Sequence, residues 1–150
     1  MSNPNYNIRV YGILINDHNQ LLVSDERYGG MEFTKFPGGG LEPGEGLVDC
    51  LKREFSEELS IAIEVVDHFY TTDFFQQSAF DDSQQLISIY YKVSYMNWQN
   101  IDTSMKPYDF SDTDAAKAES YRWVSLKNLN EEVFRWPIDK LVCRRLLRSS

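Results

Sequence analysis

Residues Gly38–Ile61, GGGLEPGEGLVDCLKREFSEELSI, constrain this chain more than any other stretch. Five of the eight glycines lie between Gly38 and Gly46. Without side chains at those positions, backbone can come close to backbone or to a ligand. The stretch is read as a glycine-rich loop, with Pro43-Gly44 as a turn. From about Leu47 a helical period takes over: Leu47, Leu51, Phe55 and Leu59 recur every four residues, with Val48 beside them.

Glu54, Glu57 and Glu58 stand at i, i+3 and i+4 of that helix, so they share a face. At roughly 100° per residue, Leu47, Val48, Leu51, Phe55 and Leu59 form an arc about 120° wide. Glu58 falls just inside one edge of the arc, Glu54 just outside it and Glu57 further round. Carboxylates at this spacing repel one another, and a partly buried one is costly unless paired. A hard divalent cation, Mg²⁺ or Mn²⁺, relieves both problems because it prefers oxygen ligands. Arg53 flanks the cluster and can bridge to one carboxylate. A solvated acidic helix face is the plain alternative for such a charge run, and the glycines immediately ahead of the helix argue against it.

The stretch resembles the Nudix box, G-x5-E-x7-R-E-U-x-E-E-x-G-U, where U is aliphatic or aromatic. Gly39, Glu45, Arg53, Glu54, Phe55, Glu57, Glu58 and Ile61 fall on that pattern in register, preceded by Phe36-Pro37-Gly38-Gly39. Ser60 departs from it, standing where the family has glycine. The family glycine follows the helix, where a left-handed backbone is often wanted. Serine there costs on the order of 1 kcal/mol in strain and removes no ligand.

The resemblance implies an α+β fold, an α/β/α sandwich with a mixed β-sheet. It also implies metal-dependent hydrolysis of a nucleoside diphosphate linked to another moiety. Glu54, Glu57, Glu58 and the Gly38 carbonyl would be metal ligands, with Glu57 or Glu54 the base. Glu45, Gly39 and Arg53 would fix the loop against the helix. In some family members a distant carboxylate is the base, and Asp112, Asp114 and Glu119 are the candidates here. The expected partner is a small nucleotide; a homodimer is compatible with the resemblance.

The 150 residues suit one domain, residues 1–150, with a real core. No apolar run approaches membrane-spanning length. MSNPNYNIRV has neither a basic region nor an apolar signal segment, so a cytoplasmic protein is expected. Cys50 and Cys143 lie outside any CxxC or Cys/His cluster and are read as reduced structural thiols in helices. A net charge of −8 suits neither a nucleic-acid backbone nor, unaided, a phosphate ester, so bound metal must supply local positive charge.

Along the chain, Tyr6–Asn16 reads as a strand, Asp17–Gln20 as a turn and Leu21–Ser24 as the return strand of a hairpin. His18 reads as a solvated turn residue and Asp25–Thr34 as a loop. Arg27 and Lys35 are rare cations near the box and are candidate phosphate contacts, with ordinary surface charge as the alternative. Ile61–Phe75 is β-like and contains His68; Leu86–Met96 and Glu119–Leu126 are further strands. The polar stretch from Trp98 to Ala118 is long enough to be functional or mobile. Pro137 opens a C-terminal helix, Ile138–Leu147.

Two functional classes follow. One is a hydrolase of nucleotide sugars, ADP-ribose or similar, with triphosphate pyrophosphohydrolysis as the alternative. The other is a non-catalytic nucleotide sensor, which the retention of all three glutamates disfavours. Tyr28, Phe33, Tyr108 and Phe110 are candidates to stack on a base.

Overall fold

A computed structural model describes residues 5–149. The chain divides into two compact units, Met1–Ile13 with Gly38–Tyr95, and Leu14–Pro37 with Met96–Ser150. Strands and two helices together make the expected α+β arrangement.

The first unit is built on a sheet of order β4-β1-β6-β5. Its strands are β1 (Asn5–Leu14), β4 (Gly38–Gly40), β5 (Glu64–Thr71) and β6 (Gln84–Ser94). Helix α1 (Leu47–Leu59) packs beside β4 and β5. The expected glycine loop begins as a strand: Gly38, Gly39 and Gly40 pair antiparallel with Tyr11, Val10 and Arg9. Bare backbone can lie this close under a helix, so the glycines give the sheet an edge there. β5 is shorter than the β-like run predicts. It has two register shifts against β6, and beyond it the Thr72 hydroxyl and amide both bond to Ser88. His68 is a sheet residue, as expected, bonded to Thr71 and set edge-on to Tyr91.

The second unit holds β2 (Gln20–Tyr28), β3 (Met31–Lys35) and β7 (Ala118–Ser125) in the order β3-β2-β7, and helix α2 (Pro137–Arg148). Two sequence readings fail here. Leu21–Ser24 is not the return strand of a β1 hairpin: only the isolated bridge Ile15–Leu21 joins the two runs, and β1 and β2 belong to different sheets. Asn16 shapes the connection instead, its side-chain oxygen accepting from the amides of His18 and Gln20. Nor is Asp25–Thr34 a loop. It is the body of a hairpin whose turn is Gly29-Gly30, at φ 61° and 78°. Two positive φ values in a two-residue turn match the twist of paired strands, and glycine adopts them without strain.

Pro137 occupies the first turn of α2, where its missing N–H costs nothing. Ile138, Val142, Cys143 and Leu146 form the buried stripe of α2 at helical spacing. Phe36 and Phe134 stack at 4.7 Å. Between β6 and β7 the only regular structure is a 3-10 turn, Trp98–Asn100. No helix among the described residues is long and apolar enough to cross a membrane.

Candidate active site

The acidic helix turns a different face inward from the one its leucines mark. Cys50, Leu51 and Phe55 are buried, whereas Val48 is 38% exposed. Replacing Val48 by Cys50 moves the centre of the buried arc by about 50°, half a residue step at about 100° per residue. Glu54 and Glu58 then fall within the arc rather than at its shoulder. The Glu54 side chain is 13% exposed and that of Glu57 60%. The Cys50 thiol explains the rotation: it donates to the Gly40 carbonyl at 3.5 Å and seats the helix against β4. Burial, and then the Glu45 carboxylate, push this thiol up to about 12. Such a thiol is inert at neutral pH. Both cysteines are free and buried, as expected.

Arg53 is the hub. Its Nε and one terminal nitrogen grip both Glu45 oxygens, at 3.0 and 2.7 Å. That terminal nitrogen also donates to the Gly40 carbonyl at 3.0 Å. The other reaches Glu54 at 3.0 Å and Glu57 at 3.2 Å, and lies 3.7 Å from Glu42. Sequence reasoning foresaw one bridge; the planar, five-donor guanidinium makes several. The Arg53 hydrogen bond, helped by the Glu42 amide, pulls the Glu45 carboxyl down to about 2. The same pairing holds the Arg53 pKa above its ordinary range.

The turn before the helix presents Glu45. Gly44 has φ 86°, and the Glu45 amide bonds back to the Glu42 carbonyl at 3.3 Å. Proline followed by a positive-φ glycine is the signature of a type II turn. At the far end of the helix, Ser60 has φ 58° and ψ 36° and donates its amide to Ser56. This is the left-handed cap expected for the position.

Gly39 shows why the run must be bare: a Cβ there would collide with the Glu54 carboxylate. Gly38 sits at φ 147°, and a Cβ would meet the Val10 carbonyl oxygen. Among the described residues, no three His, Cys, Asp or Glu side chains converge tightly enough to grip a metal ion as they stand. Glu54 and Glu57 are both turned onto Arg53. The chemistry of the donors nevertheless suits a hard cation. Four carboxylates surround one guanidinium, an excess of about three negative charges on groups that bind Mg²⁺-like ions.

The candidates in the second unit have partners of their own. Arg27 bonds Glu32, at 2.6 Å from one terminal nitrogen. Lys35 is buried and pairs with Glu26 at 2.9 Å. Asp112 and Asp114 lie on the irregular segment before β7, and Glu119 lies in β7 opposite Glu26. Burial and the Glu26 charge raise the Glu119 carboxyl pKa. His18 is exposed, as expected, with its ring edge-on to Trp98 at 4.9 Å. Sequence reasoning missed Asp25. It is fully buried in β2 and bonded to Arg122 at 2.7 Å and to the Thr34 hydroxyl at 2.6 Å. No local pattern could announce a partner 97 residues away.

A family model of the NUDIX domain matches residues 5–144. A MutT protein from Methanosarcina mazei Go1 superposes with a TM-score of 0.69 at 19% identity, over 99% of this chain and 98% of that one. A NUDIX hydrolase from Nitrosomonas europaea gives 0.67 at 17% identity, over 97% and 90%. A UDP-X diphosphatase gives 0.57 at 14% identity, over 99% of this chain but 65% of the other. At such identities the superpositions establish a shared fold.

Proposed function

The chain belongs to the NUDIX domain family of pyrophosphohydrolases, and from that premise we propose that it acts as one domain on the pyrophosphate linkage of a nucleoside diphosphate derivative, such as a nucleotide sugar or ADP-ribose. The family is generally dependent on divalent metal. In our reading Mg²⁺ or Mn²⁺ is held by Glu54, Glu57, Glu58 and the Gly38 carbonyl. When bound, it supplies positive charge to the phosphates and lowers the pKa of an attacking water.

The observation that carries this reading is the excess negative charge around Arg53, shared between the turn before α1 and the helix itself. One guanidinium cannot balance four carboxylates, and a helix with no catalytic task gains nothing from the imbalance. Glu45 stays ionised down to about pH 2 and anchors Arg53. Arg53 in turn orients Glu54 and Glu57. Glu57, the more exposed of the two, is the better placed to take a proton from water. Arg27 and Lys35 have internal partners, so the proposal gives them no phosphate to hold. A single chain supplies every residue that the reading uses.

The preference for a diphosphate derivative rests on the length and acidity of the segment before β7. A structural neighbour bearing the name UDP-X diphosphatase supports that preference. The alternative is triphosphate pyrophosphohydrolysis. A hydrolysis screen over nucleoside triphosphates, nucleotide sugars, ADP-ribose and dinucleoside polyphosphates separates the two. Undiminished turnover in excess EDTA would sink the metal mechanism. Pyrophosphate release from a triphosphate, with no turnover of nucleotide sugars or ADP-ribose, would overturn the substrate class.

A further inference from the structure

Between the 3-10 turn at Trp98–Asn100 and β7 the chain forms neither helix nor strand, yet it is tied to the second unit's sheet at separate points. Near its start the Ser104 amide donates to the Tyr121 carbonyl at 2.7 Å. Next, the Tyr108 amide donates to the Asp25 carboxylate at 3.2 Å, and the Tyr108 hydroxyl lies 3.1 Å from that of Thr34. Further on, one Arg27 nitrogen donates to the carbonyls of Thr113 at 2.6 Å and Ala115 at 3.1 Å. The same guanidinium lies over the Phe110 ring at 5.0 Å, and Glu32 holds it in place from β3.

We propose that residues 108–115 are a strap with two unequal fastenings. Arg27 is a clasp that releases residues 110–115, while Asp25 keeps the Tyr108 end attached. Asp25 and Arg27 are two apart on β2, so both side chains leave the same face of the strand. They differ in their exposure to water. Asp25 is fully buried and meets an Arg122 side chain only 16% exposed. Removing a partner from such a pair strands a buried charge, so this fastening holds. Arg27 is 24% exposed and Glu32 42%, so water and salt compete for the clasp. The releasable half also carries the exposed carboxylates Asp112 and Asp114, the first accepting from the Asp114 amide at 3.0 Å. Arg27 thus sets how often that half is fastened to the sheet.

Hydrogen exchange tests the clasp without reference to any substrate. In Arg27→Ala, the amides of residues 110–117 should exchange at least about tenfold faster. Those of Ser104 and Tyr108 should keep their wild-type protection. Arg27→Lys, which keeps the charge but cannot span two carbonyls and a ring, should fall between. Unchanged exchange in 110–117, or equal acceleration at Ser104 and Tyr108, would overturn the two-fastening strap.

Discussion

Gly39→Ala and Gly38→Ala lie one residue apart and should fail in opposite ways. At Gly39 the three atoms nearest the new methyl all belong to the Glu54 carboxylate. That carboxylate is the tip of a flexible side chain and can swing aside, giving up its 3.0 Å bond to Arg53. A partly exposed ion pair of this kind contributes about 0.2–1 kcal/mol. The stability loss should therefore be near 1 kcal/mol, or about 2–4 °C in Tm for a chain of this size. Activity should suffer far more, because Glu54 is displaced from where the proposal needs it. A loss of about 10²–10⁴ in kcat corresponds to roughly 3–5 kcal/mol of barrier at 1.36 kcal/mol per tenfold. At Gly38 the methyl meets the Val10 carbonyl oxygen and the Tyr11 Cα, at a φ of 147°. Backbone in a sheet cannot step aside. Strain of about 1–3 kcal/mol and overpacking of a similar size add to about 2–6 kcal/mol, a large part of the roughly 5–15 kcal/mol that holds a domain together. Thermal melts by circular dichroism, run beside Mg²⁺-dependent hydrolysis rates, separate the two outcomes. Wild-type turnover in Gly39→Ala would mean that Glu54 does no work in the site. Unfolding of Gly39→Ala as severe as that of Gly38→Ala would mean that the glycine run is purely structural.

Glu57→Gln should lower activity by several orders of magnitude while changing metal-free stability by about 0.5 kcal/mol or less, since it breaks one exposed contact to Arg53. Mg²⁺ should raise the Tm of wild type more than that of the variant, and Asp49→Asn, exposed on the same helix, should match wild type in both assays. Ser60→Gly should stabilise by up to about 1 kcal/mol, since serine now holds φ 58°; a lower Tm would show that the serine side chain has a task of its own. The Glu45 carboxyl is lowered from 4.5 to about 2 by Arg53. A depressed folded-state pKa contributes stability above the unfolded value and loses it as pH falls through the folded one. Urea midpoints of wild type minus Glu45→Gln should therefore shrink between about pH 4.5 and pH 2; a constant difference across that window would remove Glu45 as the anchor of Arg53.

The spacing of residues in one continuous stretch made α1 and its carboxylates legible. A helix places i, i+3 and i+4 on one face whatever surrounds it, and Glu45 and Arg53 are only eight residues apart. Pro137 and the apolar stripe after it marked α2 for the same local reason. The rotation of α1 was not legible, because Leu47, Val48 and Leu59 look as apolar as Leu51 and Phe55. The sheet decided which of them to cover. Glycine misled twice. Gly29-Gly30 is the turn of a hairpin and Gly38–Gly40 is a strand, and bare residues carry no alternating pattern by which a strand is recognised.

The sequence by itself determined the family, the helix, its carboxylates and the arginine among them. It did so because these depend on neighbours within about 20 residues. Tertiary structure alone decided which strands share a sheet, which carboxylates Arg53 holds, and that Asp25 pairs with Arg122 across 97 residues. Strand order and buried ion pairs depend on segments that approach only once the chain has closed on itself. The loop-closure entropy that such contacts must overcome leaves no local trace in the sequence.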